Sequence, residues 1–262
     1  MTSDSQPTLP AAGSRAWLRL LWPAAIAALG FAALPLDLPI AWWFRDRRCP
    51  AEINRWLQFS EVYAHGFGVV CILLTIFALD AGRRYLLPRA AAIVFGGGLL
   101  ANLLKLSLAR TRPHDFLPPA DELLTAAAAA NHSIMSIGDS FGQWLPLGRV
   151  LSSFQSFPSG HMATAFGLTA ALIWLYPRGR WVFVFFALLA GCQRMSSLSH
   201  FLSDVVWGAA AGCTVTLLFL PGGLLAFQFD PLEAFLQSLA NSRFKAIVAQ
   251  GTGEKPRRRD AA

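Results

Sequence analysis

The 262-residue sequence predicts an all-α polytopic membrane protein, a six-transmembrane-helix bundle with a long outer loop between helices 3 and 4. Its composition is one reason, because 55% of the residues are hydrophobic and only 14% are charged, whereas about a quarter are charged in a typical soluble domain. A second reason is that residues 20–36, 62–79 and 205–229 contain no Asp, Glu, Lys or Arg. Runs of this length are typical of bilayer spans. The sequence therefore excludes a soluble globule, a disulfide scaffold and a disordered chain.

Apolar runs predict each span in turn. The first begins after Arg15 and Arg19, an arrangement also found in signal peptides. Its uncharged stretch of 17 residues is longer than a signal-peptide core, and no small-x-small cleavage site follows it, so a transmembrane helix is the favoured interpretation. In order, the predicted spans are residues 17–36, 62–79, 86–108, 161–176, 180–197 and 201–220.

Basic residues are distributed unequally between the two sides that these spans define. The cytoplasmic loops of membrane proteins carry an excess of Lys and Arg. With the N-terminus inside, the cytoplasmic side holds thirteen basic residues, so both termini are predicted to be cytoplasmic. The thirteen are Arg15, Arg19, Arg83, Arg84, Arg89, Arg178, Arg180, Arg243, Lys245, Lys255, Arg257, Arg258 and Arg259. The net charge of +7 follows from this bias and indicates no nucleic-acid partner.

The chain divides into a tail, a membrane domain and a C-terminal segment. The predicted boundaries are 1–16 for the cytoplasmic N-terminal tail, 17–220 for the six-span domain and 221–262 for an interfacial helix with a basic cytoplasmic tail. Within the domain, residues 114–157 form the outer loop, and Asp121 and Glu122 before an Ala-rich segment predict one short helix in it.

Ionisable side chains cluster near the outer ends of spans three to six. Such residues are costly in a membrane and indicate a functional site. They are Lys105, Arg112, His161, Arg194, His200 and Asp204. Lys105 and Arg112 are seven residues apart, close to two helical turns, so they are predicted to project from one helix face toward one anion. Arg110 would point from a different face and is left out of the site.

Two further spacings indicate how a histidine is used. His200 and Asp204 are four residues apart, so on a helix the carboxylate would accept a hydrogen bond from one imidazole nitrogen and leave the other free to attack. Ser159 is suited to cap the fourth span, and Gly160 allows close backbone approach. Exposed amides at a helix N-terminus bind phosphate, which would place His161 beside a phosphate group.

These residues form three motifs in order: Lys105-x6-Arg112-Pro113, Pro158-Ser159-Gly160-His161 and Arg194-x5-His200-x3-Asp204. The motifs resemble the three signature motifs of the type 2 phosphatidic acid phosphatase superfamily, which includes membrane lipid phosphatases and the vanadium haloperoxidases. The resemblance covers the 100 residues from Lys105 to Asp204, and the six-span layout is that of the membrane branch. One residue departs from the pattern, because Gln193 stands where the third motif usually has Ser.

The resemblance implies a metal-independent phosphohydrolase that needs no cofactor and uses a histidine nucleophile. His200 would attack phosphorus to form a phosphohistidine, and Asp204 would hold its ring. His161 would protonate the leaving oxygen and later activate water. The phosphate oxygens would be held by Lys105, Arg112, Ser159, Gly160 and Arg194.

The implied substrate is a phosphorylated lipid, because a site at helix ends meets headgroups whose chains stay in the hydrocarbon. Phosphatidic acid, phosphatidylglycerol phosphate, undecaprenyl diphosphate and a lipid A phosphate all remain open. The 19 Arg against three Lys residues favour a GC-rich bacterium, hence a site at the periplasmic face of the inner membrane. Two alternatives stand beside the hydrolase: a phosphotransferase that uses a second acceptor, and a catalytically silent lipid-binding relative.

Overall fold

The computed structural model describes residues 16–46, 49–117, 136–144 and 152–251, which are mostly helical. In chain order the helices are α1 (Ala16–Asp46), α2 (Ala51–Ala64), α3 (Gly66–Leu79), α4 (Leu87–Leu104), α5 (Pro113–Phe116), α6 (Gly160–Leu175), α7 (Arg180–Ser196), α8 (Leu202–Phe219) and α9 (Asp230–Gly251). Two short strands, β1 (Leu108–Arg110) and β2 (Phe141–Trp144), form an antiparallel pair. Short 3-10 helices lie at Ala81–Leu86, Ile137–Ser140, Ser152–Phe154, Pro177–Gly179 and Ala226–Gln228.

Helices α4, α6 and α8 pack against one another and form the centre of the bundle. Helix α1 lies along α8, and α7 packs against α2 and α6. The main apolar core contains Ile93 of α4, Leu168 of α6 and Val205 of α8. Large apolar side chains on the outer helices, such as Phe67 and Trp181, are exposed, as in a protein whose surface contacts lipid rather than water.

Glycines allow the central helices to approach closely. A Cβ added to Gly208 of α8 would lie 2.3 Å from the Ser159 carbonyl oxygen, and one added to Gly212 would lie 2.6 Å from that of Ala163. Gly97 of α4 faces the same Ala163 oxygen at 3.0 Å. Small residues let helix backbones approach one another within membranes. Gly208 therefore places the N-terminus of α6 directly against α8.

The third to sixth predicted spans correspond to helices α4, α6, α7 and α8, whose bounds lie within four residues of the prediction, whereas α1 continues to Asp46 instead of ending at residue 36 and the second span is divided between α2 and α3. Three of the described segments are long and apolar enough to cross a membrane, namely Leu21–Asp46, Ala81–Leu104 and Leu202–Phe219. Helices α2 and α3 meet the same criterion together as a bent pair, and α6 is a shorter apolar helix. The described residues thus hold three or four such spans, which fits a membrane protein, and the number six stays a prediction.

The all-α prediction needs correction at the end of the third span, which was expected to reach residue 108. Helix α4 ends at Leu104, where the Ser107 hydroxyl donates to the Leu104 carbonyl oxygen at 2.6 Å and competes with helical bonding. The chain then forms β1 and pairs with β2. Pro113 favours this extended path, because a residue that precedes proline avoids helical backbone.

The outer loop, residues 114–157, is described in part. Residues 118–135 and 145–151 lie outside the described ranges, and the predicted Ala-rich helix lies there. Three backbone hydrogen bonds tie the described parts to the chain that follows α4: Thr111 N to Ser140 O at 2.8 Å, Arg112 N to Ser153 O at 2.9 Å and Ser156 N to Arg110 O at 3.0 Å. The loop therefore folds back over the segment that holds the first motif.

Helices α2 and α3 meet at 66°, within the segment predicted as the second span. His65 takes an extended conformation between them, and its Nδ1 accepts a hydrogen bond from the Phe67 amide at 3.3 Å. The bend requires glycine at position 68, because a Cβ there would lie 1.9 Å from the Val62 carbonyl oxygen. The last turn of α2, which carries Glu61, contacts α7 beside the bend.

The helix predicted after the last span is present as α9, and Arg89 of α4 joins it to the bundle. Arg89 is 1% exposed and donates to Glu233 and Asp230, each at 2.6 Å, and to the Phe219 carbonyl oxygen at 3.2 Å. This ion pair lies about 20 Å along α4 from its C-terminal end. The interfacial location of α9 stays a prediction, and the basic tail at residues 257–259 lies outside the described ranges.

Replacing Gly208 by Ala should lower the thermal midpoint of the purified protein in detergent. The new Cβ overlaps a backbone oxygen that cannot rotate away, and overpacking of this kind costs about 1–3 kcal/mol. Gly66→Ala is the matched control, because a Cβ there meets nothing within 4 Å. Equal midpoints for Gly208→Ala and wild type would contradict the close contact between α6 and α8.

Candidate active site

The residues predicted as a site come together at one end of the bundle. They lie at the C-terminal end of α4, before α5, at the N-terminus of α6, in the last turn of α7 and around the start of α8: Lys105, Arg112, Ser159, Gly160, His161, Arg194, His200 and Asp204. The positive charges of all three basic residues act on His200. A Cβ on Gly160 would lie 3.8 Å from Lys105 Nζ. Separate chain segments thus converge on one small volume.

His200 is 4% exposed and lies in the turn between α7 and α8. Its Nδ1 lies 2.6 Å from the Ser156 carbonyl oxygen, which can only accept, so Nδ1 carries the proton and Nε2 holds a free lone pair. Burial, followed by the charges of Lys105 and Arg112, lowers the pKa of His200 well below its ordinary 6.5. The ring is therefore neutral, with Nε2 available as a nucleophile.

The hydrogen bond expected from His200 to Asp204 is replaced by the one to Ser156. His200 precedes α8, which begins at Leu202, so the two side chains do not share a helix face. Asp204 Oδ2 accepts from the Ser156 hydroxyl at 2.6 Å and from the Phe201 amide at 2.9 Å. Because Ser156 also supplies the carbonyl oxygen that holds the ring, Asp204 acts on His200 through Ser156.

A buried ion-pair network lies behind Ser156. Arg110 donates to Asp204 Oδ1 at 2.5 Å and to Asp37 Oδ2 at 2.7 Å, and all three side chains are inaccessible to solvent. Asp37 also accepts from the Ser203 amide at 2.8 Å and from its hydroxyl at 2.5 Å. The network joins α1, β1 and α8.

Arg110 is held on every side, although the sequence analysis left it out of the site. Its Nε donates to the Ser140 hydroxyl at 3.2 Å. Its guanidinium carbon lies 4.4 Å from the ring centroid of Phe141 and 4.3 Å from that of Phe201, where cation–π attraction adds to the ion pairs. The helix-face argument against Arg110 fails because this segment is a strand. The carboxylate of Asp37, at the end of a long apolar run, is the signal that could have revealed its partner.

The N-terminus of α6 has the predicted cap. Ser159 Oγ accepts a hydrogen bond from the Met162 amide at 3.3 Å, which confirms Ser159 as the N-cap. The Ser159 amide donates to the Asp204 carbonyl oxygen at 3.0 Å, so α8 positions the start of α6. The first amides of a helix lack intrahelical acceptors and can bind a phosphate oxygen. His161 follows directly, with 31% of its side chain exposed.

Lys105 and Arg112 converge by a route other than the predicted helix face. A turn and β1 separate them, and the Arg112 amide is fixed by the Ser153 carbonyl oxygen at 2.9 Å. Burial and the nearby Arg112 charge lower the pKa of Lys105. Among the described residues, the buried Arg112 Nε has no hydrogen-bond partner. An unpaired buried donor is costly, and a bound phosphate oxygen would satisfy it with a charge-assisted bond.

Arg194 is held by a carboxylate that the sequence analysis missed. Its Nη2 lies 2.7 Å from Glu61 Oε1, and its Nε donates to Gln193 Oε1. Gln193 Nε2 in turn donates to Glu61 Oε2 at 3.3 Å, so its amide group is engaged with Glu61. Glu61 Oε1 lies 3.7 Å from His161 Nε2, and the rings of His161 and His65 are 6.1 Å apart. Helix α2 is therefore part of the site wall.

The arrangement has the parts that phosphoryl transfer needs. One neutral imidazole offers a lone pair, a second imidazole lies at the N-terminus of α6, and the positive charges of Lys105 and Arg194 act on both rings. Phosphoryl transfer depends mainly on positioning and on neutralising charge on the phosphate oxygens.

The chain is similar to several known proteins. The model of the PAP2 superfamily matches residues 86–223 of the chain. A lipid A 1-phosphatase of Rhizobium etli is 34% identical over 210 residues, 74% of this chain and 79% of that protein. A lipid A 1-phosphatase of Rhizobium johnstonii is 35% identical over 143 residues, 53% of this chain, and the match spans about half, 49%, of that protein. The crystal structure of Aquifex aeolicus LpxE aligns with a TM-score of 0.49 at 18% identity, covering 71% of this chain and 95% of that one.

Replacing Arg110 by Met should destabilise the protein strongly. The substitution leaves two buried carboxylates without their shared cation, and breaking a buried pair in this way costs about 3–5 kcal/mol. Thermal unfolding in detergent measures the effect. Arg55→Met is the control, because Arg55 is exposed and pairs with Glu52 at the surface. If both variants unfold at the wild-type temperature, the network does not hold the site together.

Proposed function

The chain belongs to the PAP2 superfamily, and from this membership we propose that it is an integral membrane phosphatase that removes a phosphate group from a lipid. The reaction proceeds without a metal ion, through a phosphohistidine. The observation that carries the proposal is the buried neutral ring of His200, whose free Nε2 lies among cations that include Arg112, whose buried Nε has no hydrogen-bond partner among the described residues. A phosphate group supplies both an electrophile for that nitrogen and acceptors for those donors.

In the first step, His200 Nε2 attacks phosphorus. A P–N bond forms as the P–O bond to the leaving group breaks, and the proton of His161 passes to the leaving oxygen. Asp204 contributes by fixing Ser156, which keeps Nδ1 of His200 protonated and aims Nε2. Charge on the phosphate oxygens is neutralised by Lys105, Arg112 and Arg194, and the Ser159 hydroxyl and the Gly160 amide donate hydrogen bonds to them.

In the second step, His161 accepts a proton from water, whose oxygen attacks the phosphohistidine. A P–O bond forms, the P–N bond breaks, and inorganic phosphate leaves with His200 again neutral. Splitting one displacement into two lowers each barrier. The burial of His200 favours both steps, because it lowers the proton affinity of the ring. The lone pair on Nε2 is then unprotonated in the first step, and the same nitrogen is a good leaving group in the second.

The site opens at the outer, periplasmic face of the inner membrane in this proposal, and both termini are cytoplasmic. The basic residues support this orientation: Arg83, Arg84 and Arg89 lie near the start of α4, whereas the site lies at its other end. A lipid can then keep its chains beside the exposed apolar helices while its headgroup reaches the histidines.

We assign a lipid A phosphate as the substrate. The support is that the two Rhizobium relatives, at 34% and 35% identity, are both named lipid A 1-phosphatase. Phosphatidic acid, phosphatidylglycerol phosphate and undecaprenyl diphosphate are the competing substrates.

The purified protein should release inorganic phosphate from a lipid phosphate in the presence of EDTA, and orthovanadate should inhibit the release. His200→Ala should reduce turnover by about a thousandfold or more, since the nucleophile is lost. His161→Ala should leave a phosphoenzyme that radiolabelled phosphate reveals. Thermal midpoints equal to that of wild type confirm that the variants are folded. Loss of activity on chelation, restored by metal, would overturn the metal-free mechanism.

A panel of the four lipid phosphates should give the highest kcat/KM for lipid A that carries a 1-phosphate. The assay follows inorganic phosphate and, by mass spectrometry, every phosphorylated lipid product. A tenfold higher kcat/KM for another lipid would overturn the substrate assignment. Transfer of the phosphate group to a second lipid, instead of its release as inorganic phosphate, would identify a phosphotransferase.

A further inference from the structure

We propose that Glu61 of α2 is a positioning residue for the acid in the first step: its carboxylate supplies the negative charge that helps His161 to carry the proton for the leaving group. The inference rests on the proposed function. None of the three motifs contains Glu61, and nothing in the sequence analysis assigns it a role.

The contacts of Glu61 place it between His161, the proposed acid for the departing oxygen, and Arg194, which would hold a phosphate oxygen. Glu61 Oε1 lies 3.7 Å from His161 Nε2 and 2.7 Å from Arg194 Nη2. The first distance is too long for a hydrogen bond, so Glu61 leaves the imidazole proton available for transfer. At that separation the attraction between a carboxylate and an imidazolium is still substantial in a partly buried site.

The surroundings of His161 otherwise disfavour a positive charge on its ring. Partial burial of the ring has the largest effect against a positive charge. The charges of Arg194 from α7 and of Lys105 from the end of α4 act in the same direction, as does the nearby His65. Among the described groups that act on His161, Glu61 is the one that opposes them. A leaving-group acid in this place therefore needs Glu61 as well as the negative charge of the bound phosphate.

The protein holds Glu61 in place from two sides. Gln193 Nε2 donates to Glu61 Oε2 at 3.3 Å, so the residue that departs from the usual third motif orients the carboxylate. The bend at His65 begins a new helix directly after the turn that carries Glu61. The carboxylate is 38% exposed, which leaves space beside it for a substrate.

A second consequence concerns phosphate binding. Glu61 neutralises part of the charge of Arg194, so it competes with a phosphate group for that guanidinium. Removing the carboxylate should weaken the acid and at the same time strengthen the attraction for the dianionic substrate. A residue that only kept the site folded would weaken both.

Glu61→Gln is the decisive variant, because glutamine has the same size and still accepts a hydrogen bond from Arg194. With lipid A that carries a 1-phosphate, whose sugar alkoxide leaves poorly, kcat should fall about 10- to 100-fold, a general-acid effect, while KM stays equal or falls. With 4-nitrophenyl phosphate, whose leaving group needs no proton, kcat should change by less than about threefold. Glu52→Gln is the matched control on the same helix, exposed and paired with Arg55, and should match wild type on both substrates.

A double variant provides an independent readout with lipid A 1-phosphate alone. If Glu61 acts through His161, adding Glu61→Gln to His161→Ala should not slow the residual turnover further, because the group it serves is already absent. A further loss of turnover in the double variant, relative to His161→Ala alone, would overturn the inference. Equal losses of kcat on the two phosphate esters, or a raised KM, would also overturn it. A wild-type protein that releases phosphate from no lipid would instead refute the proposed function.

Discussion

The position of His200 depends on one buried interaction, the guanidinium of Arg110 shared between Asp37 and Asp204. A guanidinium with two carboxylate partners and two flanking rings can be buried at moderate cost, whereas either carboxylate alone could not. Once Asp204 is fixed, its second oxygen fixes Ser156, and the Ser156 carbonyl oxygen fixes the histidine ring. Two hydrogen bonds therefore join the Asp204 carboxylate to the His200 ring, and the orientation of the proposed nucleophile depends on the ion pair behind Ser156.

The sequence predicted the helices well because their signal is collective. Each apolar run extends over about 16 residues or more, so local exceptions do not hide it, and the third to sixth helices begin and end within four residues of the predicted bounds. The first helix continues ten residues beyond its predicted end, to Asp46, and the second predicted span is divided between α2 and α3. At the end of the third helix the Ser107 hydroxyl binds the Leu104 carbonyl oxygen, and an apolarity pattern does not register such a contact. The break at His65 is missed for the same reason.

The sequence predicted which residues belong to the site better than it predicted the contacts between them. Linear spacing identified the two histidines and the basic residues, but it implied that His200 and Asp204 share a helix, and the serine between them in space is 44 residues away in sequence. Partners brought together only by tertiary packing leave no periodic trace. Asp37 lies one residue beyond the first predicted span and Glu61 one residue before the second. Because both were assigned to loops next to a span, neither carboxylate was considered as part of the site.

The two carboxylates explain how one site can hold histidines with opposite tasks. Arg110 balances the charge of Asp204, whose Oδ2 binds Ser156 and the Phe201 amide, so His200 faces positive charge and stays neutral, as the nucleophile that we propose must be. Glu61 is 38% exposed and its Oε1 lies 3.7 Å from His161 Nε2, so its negative charge acts on the ring that would carry the proton in the proposed reaction. Pairs of titratable groups acquire separate roles when their surroundings differ in this way. Exchanging the two carboxylate positions would favour the proton on the attacking ring and remove it from the ring that serves the leaving group.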